Sequence, residues 1–155
     1  MNTAPLANNK LAAILWILLA LFCFRVAAQL IQFYYPTSLL PPFESWHSEK
    51  VPYGILVLAQ LVIIYFCLRT AYGVYRGTTN RNRTRGIILL ALGGLYFATM
   101  VVRVSLGLTV FSDNRWFSNH IPTFFHFVLA TFILMTSSYH FQSPDKANNP
   151  SKVNK

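Results

Sequence analysis

The chain has 155 residues, of which 54% are hydrophobic and 11% are charged. A soluble domain of this size cannot bury so much apolar surface, so the composition excludes a simple water-soluble globule and favours a membrane protein. The 13 lysines and arginines against 4 acidic residues give a net charge of +9, but they flank long apolar runs, which argues against a nucleic-acid-binding face.

Apolar segments of about 20 residues are needed to cross a hydrocarbon core as helices. Four segments of the chain meet or nearly meet that length, so the sequence predicts an all-α, four-helix transmembrane bundle. We place the spans at about 11–35, 52–76, 86–110 and 120–141. They form one membrane domain over 1–142, and the polar, lysine-containing segment 143–155 is expected to be a disordered tail.

The first apolar segment also has features of a signal peptide, because Val26, Ala27 and Ala28 precede a possible cleavage point. Arg25 lies directly before this point and is unfavourable for cleavage. We therefore interpret the segment as a retained span.

The connection between the second and third spans contains four arginines and no acidic residue: Arg76, Arg81, Arg83 and Arg85. The positive-inside rule assigns such a connection to the cytoplasm, and alternation then places both termini there as well. We expect the inner (plasma) membrane of a bacterium as the location. The alternative role of these arginines is to bind anionic lipid headgroups.

The connection between the first two spans, 36–50, combines prolines with Phe43 and Trp46. Aromatic residues at this position are typical of the membrane interface. We expect this outer loop to be ordered and to fold back across the outer mouth of the bundle.

Polar side chains in the spans recur at three- and four-residue spacing, so they share one face of each helix. Counting about 1.5 Å per residue from the outer ends places several of them about 10–14 Å below the outer surface. We predict that this layer is a cationic, donor-rich, ligand-binding pocket. Its members are Arg25, Gln29, Gln60, Tyr96, Arg103 and His126.

No aspartate or glutamate lies in the four spans, so the two arginines have no carboxylate partner there. Arginine forks suit carboxylate and phosphate, and we expect the layer to bind an anionic or carbonyl-bearing group. A lipid, a quinone or an acidic segment of a partner subunit each fits. The predicted protein is a small accessory factor or complex subunit, alone or as a homo-oligomer. In the alternative, both arginines snorkel to the outer headgroups.

The alternative functional hypothesis for the same layer is a membrane redox or lipid-modifying protein. His126 and His140 share one face of the fourth span, a pattern similar to one helix of a two-haem cytochrome b, and Met100 is a possible axial partner. The matching histidines on a second helix are missing, so His140 is interpreted as an interfacial residue and no catalytic residue is assigned. Glu44, His47 and His120 are weak metal-ligand candidates.

Overall fold

The computed structural model describes residues 4–42, 52–109 and 120–142, and within these ranges it contains helices and no strand. Each of the four helices contains a segment long and apolar enough to cross a membrane, which confirms the predicted all-α architecture. The predicted tail, 143–155, and residues 43–50 of the outer loop lie outside the described residues. The helices are α1 (Ala4–Tyr34), α2 (Tyr53–Arg76), α3 (Arg83–Thr109) and α4 (His120–Phe141).

The short connection between α2 and α3 caps both helix ends. Gly77 ends α2 in the left-handed conformation, with φ at 67°, and the Thr78 N–H donates to the Gly73 carbonyl at 3.0 Å. The Asn82 side-chain oxygen then accepts the Thr84 N–H at 2.9 Å, which caps the start of α3. We call the end of the bundle that carries this connection the loop end and the opposite end the far end.

The helices differ in how much of their surface the protein covers. In α1 and α4, 44% of the most apolar window is buried, whereas the value for α2 and α3 is 11%. The helix α1 packs against α2 and α4, and α4 packs against α1 and α3, while contact between α2 and α3 is marginal. The pair of α1 and α4 therefore forms the centre of the fold, flanked by α2 and α3.

The close approach of α3 to α4 depends on glycine. A Cβ atom on Gly93 would lie 3.0 Å from Cγ2 of Ile133, and one on Gly86 would lie 3.0 Å from Cβ of His140. The Ser137 hydroxyl crosses the same contact and donates to the Gly86 carbonyl at 2.8 Å. Small residues that let helix backbones approach are typical of helix packing in membranes.

The apolar core is concentrated towards the loop end. There, side chains from α1, α2 and α4 form the main cluster, which consists of Leu11, Ala12, Leu15, Leu19, Ala71, Val74, Phe132 and Tyr139. A smaller cluster at the far end consists of Ala28, Phe125 and Val128. The polar layer predicted from the sequence lies at the level of the far-end cluster, because Arg25 of the layer lies over the Phe125 ring.

The described part of the outer loop, 35–42, contacts the far end of the bundle. The Thr37 N–H donates to the side-chain oxygen of Gln32 at 3.1 Å, and Leu40 packs against the far-end cluster. Leu39 is 92% exposed. The expectation that the whole outer loop folds back across the bundle stays a prediction, because residues 43–50 of the loop lie outside the described residues.

Candidate ligand-binding site

A cavity of about 240 Å³ lies between the four helices in the half of the bundle near the far end. Every helix contributes to its wall. The lining residues are Phe22, Arg25, Leu56, Ala59, Gln60, Ile63, Tyr96, Arg103, Pro122, Phe125, His126 and Leu129.

Two arginines from different helices line this cavity. Arg25 on α1 is 7% exposed, and its guanidinium carbon lies 5.5 Å from the centre of the Phe125 ring. The Nε atom of Arg25 is buried and has no hydrogen-bond partner among the described residues. Arg103 on α3 is half-buried. The cavity therefore has two guanidinium groups in its wall.

A buried pair of glutamines joins α1 to α2 beside the arginines. Nε2 of Gln60 donates to Oε1 of Gln29 at 3.1 Å, and the two residues are 3% and 0% exposed. Nε2 of Gln29 has no hydrogen-bond partner among the described residues. Gln60 lines the cavity. Gln29 lies outside the cavity wall and contacts Gln60 through this hydrogen bond.

Tyr96 on α3 and His126 on α4 form the third polar contact of the site. The Tyr96 hydroxyl lies 2.6 Å from Nδ1 of His126, and which of the two groups donates depends on the tautomer of the imidazole. Because Nδ1 of His126 takes part in this hydrogen bond, a further partner of the imidazole has to bind at Nε2. Arg25 and Arg103 both lie close enough to act electrostatically on this pair.

The described residues of the cavity wall include no carboxylate. Residues 4–42, 52–109 and 120–142 contain no aspartate and no glutamate. Transfer of one arginine to the middle of a membrane costs about 2.5–3.5 kcal/mol on insertion scales. A bound anion would offset this cost.

The residues predicted to form one layer lie together in the structure. Five of the six line the one cavity, and the sixth, Gln29, contacts it through Gln60. Other polar residues at the same helical spacing are also buried, as Gln32 on α1 and Thr123 on α4 show. The role of these residues in binding a ligand stays a prediction.

Sequence reasoning missed Phe125, whose ring lies under the Arg25 guanidinium. The signal that could have identified it is its position next to His126 on α4, within one helical turn of the predicted layer. Helical periodicity alone gives the same pattern for a core phenylalanine, so the pairing with Arg25 required the structure.

The two histidines of the haem hypothesis lie in different surroundings. His126 lines the cavity, whereas His140 is buried at the loop end, where its Nδ1 accepts the Asn82 N–H at 3.2 Å. His140 is therefore a packed, hydrogen-bonded residue in the last turn of α4, and its interpretation as an interfacial residue stays a prediction. Met100 is buried on α3 and is not part of the cavity wall.

The weak metal-ligand candidates stay untested. Glu44 and His47 lie outside the described residues, and the side chain of His120 is not described. Over the described part of the chain, no group of three or more histidine, cysteine, aspartate or glutamate side chains is arranged to hold a metal ion.

The arginine-containing connection packs against the end of α4. Nη1 of Arg81 donates to the Gln142 carbonyl at 2.9 Å, and its guanidinium carbon lies 5.0 Å from the Tyr139 ring centre. The Tyr139 hydroxyl donates to the Thr79 carbonyl at 3.0 Å. Arg81 thus joins the connection to the end of α4, in addition to any effect of its charge on the orientation of the protein in the membrane.

No family model, curated protein or solved structure matches the chain. The function is therefore argued from the geometry of the cavity.

Proposed function

We propose that the protein is a small four-span integral membrane protein that binds an anionic group in the cavity between Arg25 and Arg103. It acts as an accessory factor or as a subunit of a membrane complex, without catalysis of its own. The observation that carries this proposal is the convergence of two arginines from α1 and α3 on one cavity, where the buried Nε of Arg25 has no hydrogen-bond partner among the described residues.

The energetic argument favours an occupied cavity. An arginine in hydrocarbon needs a partner, and Arg25 is held inside the bundle over Phe125 and cannot be solvated by water at the surface. A bound anion supplies charge-assisted hydrogen bonds, which are about twice as strong as neutral ones. Tyr96, Gln60 and His126 add polar groups in the same wall.

The orientation of the protein follows from its exposed arginines. Arg76, Arg83 and Arg85 are exposed at the loop end, which the positive-inside rule places in the cytoplasm together with both termini. The cavity then lies in the outer half of the bilayer. Arg25 precedes the end of α1 at Tyr34 by about 14 Å at 1.5 Å per residue.

The hydrogen bond between Tyr96 and His126 supports a second candidate function. A tyrosine and a histidine 2.6 Å apart beside two arginines can move a proton next to a bound anion, as a lipid-modifying enzyme requires. A redox protein with quinone or haem at His126 belongs to the same class. Among the described residues of the cavity wall there is no second histidine or methionine to hold a haem and no serine, cysteine or carboxylate, so the binding protein is favoured.

The test compares anion retention in four forms of the protein: wild type, Arg25→Gln, the double variant Arg25→Gln/Arg103→Gln, and Arg69→Gln. Arg69 lies exposed on α2 and is not part of the cavity wall, so it controls for loss of one charge. After purification in mild detergent, native mass spectrometry identifies bound molecules. We expect one anionic molecule per chain in wild type and Arg69→Gln, and at least a tenfold loss in both cavity variants.

Two results would overturn the proposal. One is equal retention of the anion by the folded double variant, and the other is a wild-type protein that retains no anion at all. An absorption spectrum of the same sample separates the second candidate. A Soret or quinone band that disappears in His126→Ala would favour the redox protein.

A further inference from the structure

The two ring nitrogens of His126 have different surroundings. Nδ1 lies 2.6 Å from the Tyr96 hydroxyl, whereas Nε2 has no hydrogen-bond partner among the described residues. His126 lines the cavity, so Nε2 is the ring nitrogen that is left for a bound molecule. Whether Nε2 carries a hydrogen therefore determines what His126 can bind.

The two tautomers of His126 give the cavity opposite chemistry. With the hydrogen on Nε2, the imidazole donates a hydrogen bond to an oxygen of an anion. With the hydrogen on Nδ1, Nε2 offers a lone pair, which is the form in which a histidine binds a metal ion while its other ring nitrogen donates to an acceptor. The tautomer thus separates the anion-binding protein from the haem protein.

The Tyr96 hydroxyl favours one of these tautomers. Its only hydrogen-bond partner among the described residues is Nδ1 of His126. If Tyr96 donates, Nε2–H alone is left without a partner. If Tyr96 accepts, both the phenolic hydrogen and Nε2 are left without one. Because unpaired buried polar groups are costly, donation by Tyr96 is the better arrangement, and it places the hydrogen of the imidazole on Nε2.

The charges around His126 favour an imidazole with a single hydrogen. Arg25 and Arg103 both act electrostatically on this ring. A second hydrogen would add a positive charge beside the buried guanidinium of Arg25, where burial and like charge both disfavour it. A neutral imidazole has one N–H donor, so Nδ1 can accept from Tyr96 only if Nε2 carries that hydrogen.

We infer that Tyr96 holds His126 in the tautomer with the hydrogen on Nε2, and that this N–H donates to an oxygen of the anion bound beside Arg25. Tyr96 is then a positioning residue that acts through His126. The ligand class is an oxyanion, such as a carboxylate or a phosphate, and a metal ion or haem iron is disfavoured. This inference rests on the proposed function and adds how the same cavity recognises its ligand.

The tautomer is measured by ¹⁵N NMR of the full chain in detergent, labelled with ¹⁵N-histidine. The nitrogen chemical shift distinguishes a protonated ring nitrogen from an unprotonated one. The chain has four histidines, and His126→Gln identifies the signals of His126. His140 is an internal reference, because its Nδ1 accepts the backbone N–H of Asn82 and therefore carries no hydrogen. We expect His126 to show the same pattern, with a protonated Nε2.

A matched pair of variants tests the positioning role of Tyr96. Tyr96→Phe removes the hydroxyl and keeps the ring, whose centre lies 5.9 Å from that of His126. We expect the His126 signals to move towards a mixture of the two tautomers. Tyr139→Phe removes a tyrosine hydroxyl beside His140, outside the cavity wall, and should leave the His126 signals unchanged. Gel filtration verifies that both variants are folded.

Retention of oxyanions tests the donor role of Nε2. Native mass spectrometry counts the oxyanions that co-purify with each form of the protein. The amide of glutamine can donate from near the position of Nε2, whereas leucine cannot donate. We expect His126→Gln to retain most of the wild-type amount and His126→Leu to bind about tenfold more weakly, as expected for one lost hydrogen bond to a charged group. Tyr96→Phe should give an intermediate loss.

The possible failures are distinguishable. Hydrogen on Nδ1 of His126, alone or together with hydrogen on Nε2, overturns the inference, and an unprotonated Nε2 would favour the haem protein. Unchanged His126 signals in folded Tyr96→Phe also overturn it. If His126→Leu retains the oxyanion as wild type does and Arg25→Gln does not, the anion site stands and the donor role of His126 is wrong. If no form retains an anion, the proposed function itself fails, whatever the tautomer.

Discussion

The loop end and the far end of the bundle both bury polar groups, but they satisfy them differently. At the loop end, Ser137, Tyr139 and His140 each have a hydrogen-bond partner in the backbone of another segment. At the far end, Nε of Arg25 and Nε2 of Gln29 are buried with no partner among the described residues. Because unsatisfied buried polar groups are costly, such groups in a native structure call for an explanation.

We interpret the loop-end polar residues as groups that stabilise the fold and the far-end polar residues as the proposed ligand-binding groups. The loop-end groups join α4 to α3 and to the connection between α2 and α3, so their removal should weaken the fold. Far-end groups surround a cavity and carry charge, so their removal should strengthen the empty protein and abolish binding. Activity of this kind commonly costs stability.

Replacement of Arg25 by methionine should have the largest effect and tests whether the buried charge at the far end destabilises the ligand-free protein. Methionine keeps the contact with Phe125 and removes the buried charge, whose transfer cost is about 2.5–3.5 kcal/mol on insertion scales. We expect the ligand-free variant to have a higher free energy of unfolding than wild type, by an amount up to that cost. Unfolding by SDS in mixed micelles measures it, with exposed Arg69→Met as the control.

Addition of the anion that wild type retains should reverse the order of the two proteins. At one hundred times its Kd, a ligand stabilises the protein that binds it by about 2.7 kcal/mol, and the variant lacks this gain. A lower stability of Arg25→Met without ligand would contradict the assignment and make Arg25 a structural residue.

Replacement of Gly93 by leucine tests the close packing of α3 on α4, which holds Tyr96 against His126. A side chain at this position meets Ile133 and Leu134 within 3.0–3.2 Å, so the helices have to separate. Overpacking of this kind costs about 1–3 kcal/mol. We expect a lower midpoint of thermal unfolding and weaker anion binding.

Gly94 provides the matched control, because a Cβ atom there meets nothing within 4 Å. Leucine is a better helix former than glycine, so Gly94→Leu should leave the midpoint unchanged or raise it slightly. Equal destabilisation by the two variants would show that the glycines matter for α3 itself and not for its contact with α4.

The sequence predicted which residues share the far-end layer but not which helix faces contact each other, for a physical reason. A charge deep in a span is costly to expose to lipid, so the spacing and depth of Arg25, Arg103 and His126 predict a common layer without knowledge of which helices touch. The gap between α2 and α3 depends on which helix faces fit together, which periodicity does not encode. The contact of Arg81 with Gln142 joins segments far apart in the chain, and a run of arginines gives no sign of it.

The smallest expected effect concerns the loop end, where Tyr139→Phe removes one hydroxyl and leaves the ring under Arg81 in place. The Thr79 carbonyl then loses its donor, and a hydrogen bond of this type contributes about 0.5–1.5 kcal/mol. SDS unfolding should show a loss of that size, with exposed Tyr65→Phe unchanged. Anion binding should be normal, because Tyr139 belongs to the loop-end cluster and does not line the cavity. A loss of binding without a loss of stability would mean that the two ends are coupled and that their separation into structural and ligand-binding groups is wrong.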